Sequence, residues 1–222
     1  MKNKHLIIIS LFLLTLDLSS KNLVNHVKIE SDKVEFINNL DKVSFFSNVN
    51  INSSYVEISA NSAVFDQKED VISIKKTIKP LNNSPISGTV MFTQKNDSVY
   101  LEAHAYGIEP GKKALHIHEN GDCSSEDGLS TGGHWDPYGT KHSKWGDPEG
   151  FHLGAVGNFE VDSIGHGMMK FATDLWCIGC EKENDILNKA VIIHNGADDF
   201  VSQPSGASGM RIGCMEINSS EL

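Results

Sequence analysis

Short runs of β-branched and aromatic residues, separated by turn-forming residues, most restrict the fold of this chain. Seven runs are typical of strands: Val71–Pro80, Ile86–Gln94, Ser98–Tyr106, Ala114–His118, Ala155–Val161, Met168–Ala172 and Ala190–His194. Turn material such as Leu81–Pro85 and Lys95–Asp97 lies between them. Helical periodicity with capping residues is hard to find, so the pattern predicts an all-β fold, either a sandwich or a barrel.

The chain divides into four segments of different character. Residues 1–20 are typical of an export signal peptide. Residues 21–70 are rich in Asn, Ser, Lys and β-branched residues, which predicts strands or an extended arm without a chemical motif. We predict one domain over residues 71–218 and a short tail over residues 219–222.

The export signal is inferred from its order of charge, hydropathy and side-chain size. Lys2 and Lys4 precede the apolar run Leu6–Leu16, and Ser19 and Ser20 supply small residues for cleavage. Because the run is too short to span a bilayer comfortably, a retained anchor is the less favoured alternative. We therefore expect a secreted, extracellular protein with no membrane partner after cleavage. In a secretory compartment four sequons are candidate glycosylation sites: Asn52, Asn82, Asn96 and Asn218.

The acidic balance of the chain argues against one large class of partners. With 19 Lys and Arg against 29 Asp and Glu, the formal net charge is −10 at pH 7. Such a charge repels phosphate backbones, so no nucleic-acid partner is expected. Arg211 is the sole arginine of the sequence, and seven of the ten histidines lie from His116 to His194.

The four cysteines allow three disulfide connectivities in an oxidising compartment. Spacing alone favours Cys177–Cys180 as a local bridge, which leaves Cys123 to pair with Cys214. The alternative for the Cys-x-x-Cys pair is two buried thiols. Half of a zinc site is disfavoured, because no second pair of cysteines accompanies it.

The histidines lie in or beside two long segments without strand character, residues 119–154 and 194–210. Long loops in a compact domain are usually functional. His116 and His118 are two residues apart, so on a strand both imidazoles point to one face and can converge on one metal ion. Clustered imidazoles suit copper, zinc, iron or nickel, and a purely structural zinc site is the alternative to a redox or hydrolytic one.

Five linked motifs between residues 72 and 217 resemble the copper/zinc superoxide dismutases. In chain order they are L-H-I-H-E-N-G-D-C, G-G-H-W-D-P, H-L-G-A-V-G-N, V-I-I-H-N-G-A-D-D and M-R-I-G-C. The resemblance implies an eight-stranded Greek-key β-barrel or sandwich with two long functional loops. It also implies a homodimer, since members of the family are commonly dimers.

The resemblance implies two metal ions with shared coordination. The implied copper ligands are His116, His118, His134 and His194. The implied zinc ligands are His134, His142 and His152. His134 then bridges the two metals as an imidazolate and serves as a proton donor.

Four further residues match positions of known importance in this family. Cys123 and Cys214 match its disulfide, and Asp198 matches the carboxylate that orients copper and zinc histidines. Arg211 matches the active-site arginine that attracts superoxide and holds it beside copper. The implied reaction converts superoxide to oxygen and hydrogen peroxide while copper cycles between Cu(II) and Cu(I).

The chain departs from the family pattern at the zinc site and in one loop. Ala155 stands where the family has the aspartate ligand of zinc, so we expect weak zinc binding unless Asp147 or Glu149 takes its place. The loop that follows His194 contains no lysine before Met210, so the attraction of superoxide is expected to depend on Arg211, with Lys141 or Lys144. No catalytic role is assigned to the Cys177–Cys180 pair.

The main alternative function is a catalytically impaired relative that binds copper as a metal buffer or interaction module. Ala155 favours this alternative, whereas four copper-type histidines and Arg211 oppose it. A copper chaperone is disfavoured by the export signal and by the lack of any cysteine before Cys123. A zinc hydrolase is weaker still, because the pattern offers no general base.

Overall fold

The computed structural model describes residues 14–16, 27–30, 33–37, 42–53, 57–66 and 71–217. Within these residues the strands are β1 (Leu14–Leu16), β2 (Val27–Glu30), β3 (Lys33–Ile37), β4 (Lys42–Ser53), β5 (Glu57–Asp66), β6 (Val71–Thr77), β7 (Lys79–Pro80), β8 (Ser87–Lys95), β9 (Ser98–Tyr106), β10 (Gly111–His118), β11 (Gly157–Val161), β12 (His166–Thr173), β13 (Lys189–His194) and β14 (Arg211–Ile217). Leu129–Thr131 form a single 3₁₀ turn. Among the described residues nothing helical approaches the length needed to cross a membrane.

Antiparallel pairing of β6 to β14 gives a nearly closed barrel. Its strand order is β6-β8-β9-β12-β11-β10-β13-β14-β7. Because β6 and β7 are two parts of one run interrupted at Ile78, the barrel has eight strands, and the all-β prediction is confirmed. The seven runs predicted as strands are all present, with ends that differ by up to three residues.

Two crossing connections make the barrel a Greek key. The chain leaves β9 and enters β10, passing over the positions of β12 and β11. It then returns through β11 and β12 before crossing back to β13. As a result β10 and β13, which are distant in sequence, are hydrogen-bonded neighbours, with His116 opposite Ile192.

The interior of the barrel is a continuous apolar core. Leu101 on β9 and Leu115 on β10 belong to this core, and Phe92 packs edge-on against Trp176 with ring centroids 6.3 Å apart. Strand β10 is buried on both faces, because long loops cover the side that does not face the core. Alternation along the strand therefore places His116 beneath these loops rather than on the surface.

Strands β2 to β5 extend the sheet from the barrel edge. Strand β5 pairs antiparallel with β6, with Ser62 opposite Lys75 and Asp66 opposite Val71. These strands lie within residues 21–70, where the sequence predicted strands or an extended arm. Strand β1 lies inside the segment predicted to be a signal peptide, and the rest of that segment and the tail 219–222 lie outside the described residues.

The predicted glycan acceptors differ in their surroundings. Asn96 is exposed in the tight turn between β8 and β9. Asn82 donates a hydrogen bond from its side-chain amide to the carbonyl of Arg211 at 2.9 Å. Asn52 lies in β4, and Asn218 lies outside the described residues.

The structure contains both disulfides that spacing favoured. The Cys123–Cys214 bond ties the start of the long loop after β10 to β14. The Cys177–Cys180 bond closes a short turn in the connection between β12 and β13. The carboxylate of Asp185 orders that turn by accepting hydrogen bonds from the backbone amides of Gly179, at 3.0 Å, and Glu181, at 2.9 Å.

Candidate metal centre

The six histidines singled out by the sequence form two adjoining buried groups. In each group, one ligand atom per residue lies within 4.8 Å of the others. The first group comprises His116, His118, His134 and His194, and the second comprises His134, His142 and His152. His134 belongs to both groups, so the two candidate metal positions share one imidazole.

Strand spacing and close backbone contacts position the first group. His116 and His118 lie on the same face of β10, and His194 ends the neighbouring strand β13. His134 is brought in by an antiparallel bridge to His118. Gly154 allows the loop to approach closely, since a Cβ there would collide with the carbonyl of Ile117.

The orientation of the imidazoles tests whether the site fits metal ions. Among the described residues, seven buried ring nitrogens have no hydrogen-bond partner: Nδ1 of His116, His134, His142 and His152, and Nε2 of His118, His134 and His194. A buried nitrogen without a partner is costly in an apolar environment. These nitrogens belong to the two groups, so the donor set fits two imidazole-bound metal ions.

The remaining ring nitrogens hold the imidazoles in place. His118 Nδ1 donates to the carbonyl of Gly132 at 2.9 Å, and His194 Nδ1 donates to Gly209 at 3.1 Å. These bonds fix the tautomer, because the nitrogen that carries the proton faces the backbone and the other presents its lone pair.

Asp198 links the two groups. Its buried carboxylate accepts hydrogen bonds from His116 Nε2 at 3.0 Å and from His142 Nε2 at 2.9 Å. Although burial raises the pKa of Asp198, the hydrogen bonds from His116, His142 and the Phe200 amide outweigh it and lower the pKa well below its usual range. Gly206 is required beside it, because a side chain there would occupy the position of the Asp198 carboxylate.

His134 differs from the other five histidines. Both of its ring nitrogens are buried and lack a partner among the described residues. Its ring lies 4.0 Å from the His116 ring and 5.2 Å from the His142 ring, centroid to centroid. An imidazole with two free nitrogens between two histidine groups has the geometry of a bridging ligand.

Burial favours the neutral form of His118, His134 and His194, as metal ligation requires. Desolvation, followed by repulsion from His116, lowers the pKa of His134 well below its usual value and that of His194 to about 3. Desolvation and the nearby charge of Arg211 lower the pKa of His118. Neutral imidazoles bind metals, whereas imidazolium ions do not.

The metal-free protein is expected to lose stability as the pH falls from 7 to 5. The folded-state pKa of His194 is about 3 against 6.5 in the unfolded chain, so below pH 6.5 the unfolded state binds more protons. Each such imidazole then destabilises the fold by about 1.4 kcal/mol per pH unit, or about 2 kcal/mol at pH 5. Urea unfolding at pH 7 and pH 5 measures this loss, and an unchanged free energy of unfolding would contradict the neutral-imidazole assignment.

Arg211 lies beside the first group. It is the register partner of His194 across β13 and β14. Its guanidinium donates to the carbonyls of Gly128 at 2.5 Å and Gly132 at 2.8 Å, and to the hydroxyl of Thr131 at 3.0 Å. The carbonyl of Gly132 also accepts from His118, so the arginine and this ring share an anchor.

Sequence reasoning missed three residues that support the site. The amide of Asn158 exchanges two hydrogen bonds with the backbone of Asp198. Gln203 does the same with the backbone of His142, and Thr131 is fully buried against Arg211. Asn158 lies in a motif quoted above, whereas no pattern marks Thr131 or Gln203.

No carboxylate joins the second group within the described part of the chain. Ala155 is buried. Neither Asp147 nor Glu149, the alternative ligands that the sequence left open, belongs to the second group. Asp147 accepts the backbone amide of Glu149 at 2.9 Å within its own turn, and the exposed carboxylate of Glu149 binds Lys141 at 2.6 Å. This ion pair also offsets the positive charge proposed to attract superoxide at Lys141.

Comparison with known proteins identifies relatives of the barrel. A family model described as Copper/zinc superoxide dismutase (SODC) matches residues 86–217. A Cu-Zn superoxide dismutase of Aquifex aeolicus is 32% identical over 133 residues, which are 58% of this chain and 77% of that protein. The extracellular Cu-Zn superoxide dismutase of Caenorhabditis elegans is 30% identical over 140 residues, covering 60% of this chain and 62% of that protein.

The fold comparison agrees with these relatives. The crystal structure of a SOD-like protein from Bacillus subtilis superposes with a TM-score of 0.58 and 27% sequence identity. The match covers 64% of this chain and 97% of that chain.

Proposed function

Because the chain belongs to the copper/zinc superoxide dismutase family, we propose that it is a secreted superoxide dismutase with a weakened zinc site. The observation that carries this proposal is His134, whose two buried nitrogens lie free between two groups of imidazoles. A structural metal site needs no such shared ligand. Copper held by the first group would supply one-electron chemistry, through which two superoxide ions and two protons yield oxygen and hydrogen peroxide.

The proton that product formation requires is assigned to His134. A neutral imidazole carries one proton, and both nitrogens of His134 face the metal groups without another partner among the described residues, so its nitrogen on the side of the first group can carry and donate that proton. The nitrogen that faces His116 and His118 is the atom from which the proton reaches the product. The carbonyls behind His118 and His194 keep those two rings fixed while the proton moves.

Arg211 is assigned to binding of the anion. A guanidinium stays charged and presents a planar fork of donors, which suits a small diatomic anion better than an ammonium group does. Three hydrogen bonds to Gly128, Thr131 and Gly132 hold this fork beside His118. The net charge of −10 repels superoxide from the protein as a whole, so a local positive charge is needed at the site.

Replacing Arg211 by alanine is expected to lower the dismutation rate by about 10- to 100-fold, because a hydrogen bond to a charged group contributes about 1.5–3 kcal/mol. Copper content is expected to stay unchanged, since Arg211 supplies no metal ligand. Stopped-flow decay of superoxide, paired with copper analysis, measures both quantities. Lys112→Ala removes an exposed positive charge on β10 and is expected to leave the rate unchanged.

The Arg211→Ala variant also distinguishes an active superoxide dismutase from a relative that binds copper without activity. Ala155 favours that alternative, because it removes the carboxylate that the family's zinc site uses. A metal buffer binds copper equally well with or without Arg211 and shows no dismutation in either form. Equal, negligible rates for the wild type and Arg211→Ala, both fully loaded with copper, would therefore support the buffer.

Zinc is expected to bind weakly, because three imidazoles of the second group lack the fourth ligand that zinc prefers. Ala155→Asp is expected to retain zinc through a dialysis that removes it from the wild type. Ala155→Asn adds the same bulk without a carboxylate and serves as the control. Metal analysis after loading with copper and zinc gives the result, and near-stoichiometric zinc in the dialysed wild type would contradict a weakened site.

A further inference from the structure

Two histidines outside the metal centre lie side by side on the outer surface of the barrel. His104 on β9 and His166 on β12 are partly exposed, with 29% and 34% of their side chains accessible. Alternate residues of β9, such as Ala103 and Ala105, face the core, so His104 points outward. These strands are separated from β10 by β11, so the pair is distinct from the centre described above.

The ring nitrogens of this pair face each other. His104 Nδ1 lies 3.5 Å from His166 Nε2. A metal ion with bonds of about 2.0–2.1 Å to two imidazoles in tetrahedral geometry separates their nitrogens by about 3.3–3.4 Å. The observed spacing is therefore close to that of a tetrahedral two-histidine chelate, whereas adjacent nitrogens of a square-planar Cu²⁺ lie about 2.8 Å apart, so copper draws the two partly exposed rings together.

A carboxylate is hydrogen-bonded to His104, and a second carboxylate lies near His166. His104 Nε2 donates to Glu102 Oε1 at 3.0 Å, and the carboxylate of Asp162 lies 3.9 Å from His166 Nδ1. The hydrogen bond to Glu102 keeps the proton on Nε2 of His104 and turns the lone pair of its Nδ1 toward His166. In the metal-free protein His166 Nε2 can donate a hydrogen bond to this lone pair, and a metal ion replaces that bond when the proton of His166 moves to Nδ1, on the side of Asp162.

Neighbouring side chains favour a fixed chelate. Tyr106 stacks on His166 with ring centroids 4.7 Å apart, which restricts the rotation of that ring. Met168 is the register partner of His104 on β12 and is exposed, so a thioether lies on the same face. Imidazole and thioether are ligands that copper accepts readily.

We propose that His104 and His166 form a second metal site that binds a divalent transition metal ion, with Cu²⁺ bound more tightly than Zn²⁺. The order follows from the general preference of nitrogen ligands among these metals. The bound ion links β9 to β12 on the outer face. This site is independent of dismutation, since neither histidine belongs to the buried centre.

The test uses full-length protein whose buried centre is already loaded with copper. Titration with Cu²⁺, followed by equilibrium dialysis and electron paramagnetic resonance, is expected to show one further ion with two nitrogen ligands. His104→Gln and His166→Gln are each expected to lose this ion, with dismutation unchanged. Glu102→Gln is expected to weaken its affinity about 10- to 100-fold, as loss of an orienting carboxylate does at other metal sites.

Thr89→Val is the matched control. Thr89 is the register partner of His104 on β8, so the change lies on the same face but removes no nitrogen ligand. His5 and His26 remain present in every variant, so binding at these residues cancels in the comparison. The proposal is overturned if the wild type takes up no further copper, or if His104→Gln and His166→Gln bind as much as the control.

Discussion

Replacing Asp198 by asparagine is expected to weaken copper binding by about 10- to 100-fold, as loss of the carboxylate behind a ligating histidine does elsewhere. The carboxylate accepts hydrogen bonds from His116 and His142 at once, one on each oxygen. An amide of the same shape has one acceptor oxygen, so one of the two rings meets an N–H group instead. That ring loses its orientation, and a buried donor without a partner costs about 1–3 kcal/mol of folding stability.

Asp199→Asn is the matched control for this prediction. Asp199 is the next residue and is exposed, and its carboxylate accepts hydrogen bonds from Val201 and Ser202 and from no imidazole among the described residues. It therefore changes the formal charge equally without touching an imidazole. Competition with a copper chelator measures both affinities, and an Asp198→Asn variant that binds copper as tightly as the control would exclude the linking role of Asp198.

Removing the Cys123–Cys214 bond is expected to lower the free energy of unfolding by about 4–5 kcal/mol, because a closed loop of this length restricts the unfolded chain strongly. The bond spans 91 residues, and both cysteines are buried against Leu81 and Ile192. The backbone amide of Cys123 also donates to Glu216 at 2.7 Å. Denaturant unfolding of the Cys123→Ala/Cys214→Ala variant measures the loss.

The second disulfide provides the control. The Cys177–Cys180 bond closes a loop with a sequence separation of 3, for which the same chain-entropy argument gives about 2 kcal/mol. A Cys177→Ala/Cys180→Ala variant is therefore expected to lose less than half as much stability. Equal losses in the two double variants would show that unfolded-chain entropy is not the main contribution.

The strands and the common face of His116 and His118 were predicted correctly because side chains of a strand alternate between its two faces. The two-residue spacing of His116 and His118 requires only that β10 be a strand, and alternation then sets their common face. The seven predicted runs were found for the same reason. Strand β14 was not predicted, although its Arg211 was singled out, because its place in the sheet depends on long-range pairing with β13 and β7.

The residues around the two histidine groups are placed by the conformation of the loops. No alternating pattern in the sequence predicts that conformation. The carbonyls of Gly132 and Gly209 orient His118 and His194, yet any residue has a carbonyl. Glu149, one of the two alternatives left open for the missing zinc ligand, illustrates the same limit. Its charge and position in sequence suggested a ligand, whereas a local turn directs it to Lys141.

The rate of superoxide decay, measured by pulse radiolysis with the copper-loaded, zinc-free protein, tests the central claim most directly. We expect decay that is first order in protein, continues through many turnovers, and stops when copper is removed. Decay no faster than that seen with metal-free protein, at full copper occupancy of the four histidines, would contradict the assignment of this site to superoxide dismutation.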